Sequence, residues 1–289
     1  MCRLSRNCFL SVGSFLFLIS VGVSITEAGF VTFGNGAGSK WGNRVHGTAS
    51  DVITWTYMND GTSLHASNPL AAEVNGLSNI SLLRSNIDTV FGSGSFNQRI
   101  QNAFNTWSAA SPGRINFQFV PTDTGAPSGD SSNPNSYAVD IRIGAFTPVT
   151  SSGFSFTGAV GYGPPGDDLN FPDALAGDIF FNLNAPMFIA SGQEDDVFYT
   201  GGVYQNDLEG LILHELGHSA IGLGHPTNGI GDVMYVNNFP ACCSFINRQL
   251  SSDDIAGART VYGVPEPTSF LCALFGLSAL TVRRRLSSC

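Results

Sequence analysis

The chain has 289 residues, 43% of them hydrophobic, which supplies the core of one sizeable domain or two small ones and is too apolar for a disordered chain. Its formal net charge is −9 with only 13 Lys and Arg, three of which adjoin at Arg283, Arg284 and Arg285, and this argues against a nucleic-acid partner. With 34 Gly and 22 Phe, the composition predicts many turns, long loops and short strands around an aromatic core.

At the N-terminus, Arg3 and Arg6 precede an apolar run over 8–25, and Thr26 and Ala28 occupy the small-residue positions of a cleavage site. This predicts a secretory signal peptide over 1–28, cut after Ala28. The run is long enough to serve alternatively as a retained membrane anchor. The Gly-rich lead-in that follows is aperiodic and predicts only partial order.

The first strand is predicted over 51–60, where Val52, Thr54 and Thr56 alternate with Ile53, Trp55 and Tyr57 before an Asn59-Asp60-Gly61 turn. A helix fits 96–109, with Phe96, Ile100, Phe104 and Trp107 at spacings of three and four, stopped by Pro112-Gly113. Further strands are expected over 115–120, 138–146, 158–162 and 177–183. A helix then begins with Asn206 as N-cap and Asp207 and Glu209 in its first turn, where the dipole favours acids. Ser251 or Ser252 caps a last helix with Ile255, Ala258 and Val261 on one side, and the domain should end near Gly263.

The chemistry lies in HELGHSAIGLGH, residues 214–225. Helical positions four apart differ by about 40° around the axis, so His214 and His218 project side by side and can ligate one metal. Glu215, turned by about 100°, reaches a water there without itself ligating. Zinc needs a third protein donor and leaves its fourth position to water. After His218 the only histidine is His225 and the only glutamate is Glu266 in the tail, so a distant glutamate ligand has no candidate. His225 is the expected third ligand; Asp232, more weakly Asp253 or Asp254, or two histidines with extra water, stay open as alternatives.

His214-Glu215-Leu216-Gly217-His218 with Gly222 and His225, followed by Gly231-Asp232-Val233-Met234-Tyr235, resembles a metzincin peptidase: zinc helix, glycine turn, third histidine, Met-turn. Leu250–Ile255 and Val261-Tyr262-Gly263 resemble the closing helix of its matrixin branch, and the likeness runs from about Trp41 to Gly263. One departure stands out. Gly222 follows His218 by four residues where the family pattern has three, and one added helical residue advances the exit by about 100° and 1.5 Å unless a π-bulge absorbs it.

The resemblance implies an α+β fold over 29–263: a twisted mixed five-stranded sheet, a zinc-binding helix, and a small C-terminal subdomain with the Met-turn and terminal helix. It also implies a catalytic Zn2+ on His214, His218 and His225, a protein or peptide substrate, hydrolysis of peptide bonds by a water activated on zinc with Glu215 as general base, and Met234 as a floor beneath the ligands. The strand over 158–162 would bind extended peptide by strand addition. Asp167, Asp168, Asp173 and Asp178 offer the hard oxygens of a possible structural Ca2+ site. A metzincin-like domain without turnover, serving as a structural or adhesive protein of an extracellular matrix, is the alternative reading.

The tail over 264–289 joins Val264-Pro265-Glu266-Pro267, a short apolar stretch and the three arginines, and resembles the PEP-CTERM sorting signal. That likeness implies transient membrane association, an exosortase-type partner, and a destination outside the cell or in the envelope of a Gram-negative-type bacterium; a plain tail anchor is the alternative. Of the six cysteines only Cys242 and Cys243 fall between signal and tail, so a disulfide framework is not indicated.

Overall fold

The computed structural model describes residues 30–32, 39–149, 158–166, 171–200, 203–226, 231–235 and 245–264. The signal peptide, the sorting tail after Val264, Asp167, Asp168, Cys242 and Cys243 lie outside the described residues. In chain order come β1 (Val31–Thr32), β2 (Val52–Tyr57), β3 (Val74–Asn75), α1 (Ile80–Phe91), α2 (Ser95–Ala110), β4 (Asn116–Phe119), β5 (Ile141–Pro148), β6 (Ala159–Gly161) and β7 (Ile179–Asn182). Then follow β8 (Met187–Phe188), β9 (Tyr199–Thr200), β10 (Val203–Tyr204), β11 (Asn206–Asp207), α3 (Leu208–Leu216), β12 (Leu223–Gly224) and α4 (Ser252–Tyr262).

The main sheet runs β4-β2-β5-β7-β6, with the two-residue β3 added on the end of β5. β4, β2, β5 and β7 are mutually parallel, while β6 pairs antiparallel with β7 and forms one edge. This is the expected α+β architecture, a mixed five-stranded sheet plus one short strand. β5 is buried almost throughout, as a central parallel strand covered on both faces must be.

Helix α2 lays Phe96, Ile100, Phe104 and Trp107 on the sheet, and Phe104 stacks on Trp55 of β2 at 4.2 Å between centroids. Trp107 is fully buried and its Nε1–H donates to the Leu213 carbonyl of α3 at 2.8 Å, so the indole ties the two helices together. Losing such a ring costs about 3–5 kcal/mol.

Helix α1 is not among the sequence-based expectations. Its buried positions Ile80, Leu83 and Ile87 share the helix with Ser81, Ser85, Asn86, Asp88 and Thr89, residues of weak helix propensity, and packing of that narrow stripe decides the outcome. Its Asp88 carboxylate accepts from the backbone N–H of Gly94 and Phe96 and so caps α2, whose own N-cap Gly94 has no side chain to do so. At α3 the N-cap is Asp207 and not the expected Asn206: the Asp207 carboxylate accepts from Gly210 N–H, whereas Asn206 belongs to β11. At α4, Ser251 caps and Asp254 returns the bond, forming a capping box.

Candidate active site

Helix α3 is buried on all sides, wedged between α2 and the β6 edge of the sheet. It carries His214 and Glu215, and the chain continues into a π-helical turn, Gly217–Ile221, that carries His218. The residue inserted before the glycine is taken up there: Gly222 N–H reaches the carbonyls of both Gly217 and His218, then reverses the chain at φ +82°. A side chain is excluded at that reversal, because a Cβ on Gly222 would stand 2.6 Å from the Ser39 carbonyl oxygen.

After the reversal His225 swings back over the helix. Its Nε2 lies 3.1 Å from His214 Nε2 and 2.9 Å from His218 Nε2, and the last two are 3.2 Å apart. Nitrogens held tetrahedrally about 2.0–2.1 Å from one zinc ion stand about 3.3–3.4 Å apart, so the triangle has the size zinc requires to within a few tenths of an ångström. His214 and His218 are buried and His225 is exposed.

The donor set fits zinc chemically as well. His214 Nδ1–H donates to the Val233 carbonyl at 2.6 Å and His218 Nδ1–H to the Leu223 carbonyl at 2.7 Å, which fixes the tautomers and leaves both Nε2 lone pairs directed into the triangle. Burial, with the neighbouring His225, pushes the His214 pKa down to about 4; burial drives His218 well below its usual value and lowers His225 also. All three imidazoles are thus neutral ligands at neutral pH, without a proton to displace. Asp232 is not in the cluster: its carboxylate is bonded by the Ser251 hydroxyl.

Beneath the histidines, Met234 presses against the helix. A Cβ on Gly217 would fall 2.0 Å from Met234 Sδ, so only glycine admits this contact. The turn that places Met234 closes through Tyr235 N–H on the Asp232 carbonyl and is held from below by buried Asp254, whose carboxylate accepts from Val233 N–H at 2.9 Å and Met234 N–H at 3.3 Å. The cap of α4 therefore anchors the turn, and the Val233 carbonyl anchors His214.

On the opposite side, β6 approaches the helix at Gly161. A Cβ there would meet the Glu215 carbonyl at 2.6 Å and Glu215 Oε2 at 3.2 Å, so the Glu215 carboxylate runs alongside β6, the edge strand of the sheet among the described residues. Of the acids expected to hold calcium, Asp178 points elsewhere, into a buried cluster where Ser128 donates to it and Arg142 pairs with Asp123, while Asp173 starts a short 3-10 turn. Trp41, whose indole reaches the π turn, escapes sequence reasoning as a site residue. Asp254, a weaker ligand option in the sequence, holds the Met234 turn instead of the metal, and Gly161 lies in the strand expected to bind peptide, whereas Trp41 sits in a segment without a chemical pattern.

The family model described as matrixin matches residues 80–263, more than half of the chain, and this span takes in α3, the π turn, His225, the Met234 turn and α4. No curated protein matches the chain.

Proposed function

The chain belongs to the matrixin family, which binds a catalytic zinc, and from that premise we propose that it is a secreted zinc-dependent endopeptidase with Glu215 as general base. The observation that carries this reading is the convergence of three neutral Nε2 donors next to a buried carboxylate on the same helix, beside a free strand edge. Held by His214, His218 and His225, zinc supplies Lewis acidity, which lowers the pKa of water toward 7 and polarises a scissile carbonyl.

The remaining work belongs to the chain. The substrate peptide aligns as an added strand on the free edge of β6, and its backbone N–H and C=O groups replace those of a missing neighbour. Glu215 then takes a proton from the attacking water on a carboxylate oxygen and passes it to the leaving amine nitrogen. The carbonyls of Val233 and Leu223 hold the His214 and His218 rings in register throughout. The signal and sorting segments at the two ends support export, with maturation between residues 28 and 29 and near residue 263.

The test is cleavage of an unfolded protein by the purified chain. Cleavage should stop with a chelator and return with zinc, and Glu215→Gln should lower kcat by about 10³-fold while still binding one zinc per chain. Undiminished cleavage by that variant would overturn the assignment of the base. Mass spectrometry of the exported protein checks the maturation points: a mature chain beginning at Gly29 is expected.

A further inference from the structure

The π turn poses a local problem that the matched family span answers only in part. A π turn followed at once by a chain reversal leaves the carbonyls of Ser219 and Ala220 without the helical donors that would ordinarily follow, in a fully buried setting where an orphan carbonyl is expensive. Both are met from elsewhere. Trp41 Nε1–H donates to the Ser219 carbonyl at 2.9 Å, and the Tyr262 hydroxyl donates to the Ala220 carbonyl at 2.7 Å. Tyr262 is itself held by the lead-in, since its oxygen accepts from Trp41 N–H at 3.3 Å and Lys40 Nζ stands 4.8 Å above its ring.

The same lead-in grips the chain on the far side of the reversal. β1 pairs antiparallel with β12, Val31 opposite Gly224 and Thr32 opposite Leu223. Those are the two residues before His225, and Leu223 also supplies the carbonyl that orients His218. The Ser39 carbonyl sits on Gly222. The family match begins at residue 80, so the contacts of Val31, Thr32, Ser39, Lys40 and Trp41 come from outside it, while the Tyr262 bond to Ala220 lies within it.

We propose that the two lead-in segments, residues 30–32 and 39–48, are a positioning device for the third imidazole: Trp41 holds the inserted residue in π geometry and β1 fixes the exit, so that His225 returns to the two helical histidines. Without the Trp41 donor, the turn loses its reason to prefer π over α geometry, and the exit rotates toward the about 100° displacement that an extra α-helical residue imposes. Trp41 touches neither metal nor substrate and acts through His225. The inference rests on the zinc reading above.

A double-mutant cycle on the full chain tests it. Zinc affinity is measured by chelator competition, and the Co2+ absorption spectrum recorded, for the unaltered chain, Trp41→Phe, His225→Ala and the pair. Trp41→Phe keeps an aromatic ring and removes the donor. The expected result is zinc binding weakened by about 10-fold or more by Trp41→Phe alone, but by less than about 2-fold when His225 is already Ala. The Co2+ bands of Trp41→Phe should weaken toward those of His225→Ala, a shift that mere loss of stability does not produce. Tyr262→Phe, which removes the donor to Ala220, should behave in the same way and stands in if Trp41→Phe does not fold. An equal loss in both backgrounds, or no loss, overturns the proposal. An unaltered chain that binds no zinc sinks this inference together with the peptidase reading; a chain that binds zinc but cleaves nothing sinks only the latter and leaves the cycle readable.

Discussion

Gly161 marks how tightly the residues of the site are fitted. At Gly161 a methyl group would stand 2.5 Å from Ser219 Oγ and 2.6 Å from the Glu215 carbonyl, both on the rigid helix side of the contact. Gly161→Ala should therefore push β6 away from α3, with an overpacking cost of about 1–3 kcal/mol. Thermal unfolding and zinc content check this: a lower melting temperature, near-complete zinc loading and weaker peptide cleavage are expected, because the shift moves the substrate edge relative to Glu215 and leaves the histidines alone. Ser219 offers the opposite case. Its hydroxyl is buried with no hydrogen-bond partner among the described residues, so Ser219→Ala removes an unmet polar group and should leave stability unchanged or raise it by up to about 1 kcal/mol in denaturant unfolding.

Among the elements, α4 matters to the metal site although it contributes no ligand. Its Asp254 bonds the backbone at Ser251, Val233 and Met234, and Val233 in turn orients His214. Asp254→Ala leaves two turn N–H groups unmet, which should lower stability by about 2–4 kcal/mol and weaken zinc binding, measured by unfolding and chelator competition. The zinc helix also predicts a pH response of the metal-free protein. The histidine pKa values are depressed on folding, so the unfolded chain takes up protons near 6.5 that the fold refuses until His214 titrates near 4. Their contribution to stability is fully present above about 6.5 and is lost as pH falls through that window. Melting of the metal-free chain between pH 7 and 4 should follow it, and added zinc should flatten the upper part of the curve. How far these elements were legible follows from the same physics. The strand alternation at Val52–Tyr57 and the three-four spacing along α2 are strong periodic signals, and the HExxH segment states its chemistry outright. Helix α1, the Asp207 cap and the docking of the lead-in are settled by partners distant in sequence, which no local pattern announces.

At the scale of the whole molecule, the core has two centres. One lies between the sheet and α2 and α3; a smaller one, with Met58, Leu70, Phe146, Leu175 and Phe180, borders the buried Arg142–Asp123 pair and Asp178. Asp178, offered by the sequence as a calcium ligand, directly precedes β7 and is buried there. Burial raises its pKa to about 7, partly opposed by Arg142 and Ser128. A raised carboxyl pKa stabilises the fold most below the unfolded value near 4, and that contribution is lost as pH rises toward 7. Asp178→Asn, which keeps the shape of the protonated acid, should match the parent near pH 4 and gain on it by about 1 kcal/mol or more at pH 8, as read by denaturant titration at both values.

The reach of Tyr262 back to Ala220, and of Gly47 N–H to the Val261 carbonyl, sets an order of events. A ribosome making this chain releases HELGHSAIGLGH, which ends at His225, before the helix that secures it, which begins at Ser252, so the growing polypeptide holds the three histidines without the framework that aligns them. The histidine cluster is therefore secured only after α4 has been made, late in synthesis.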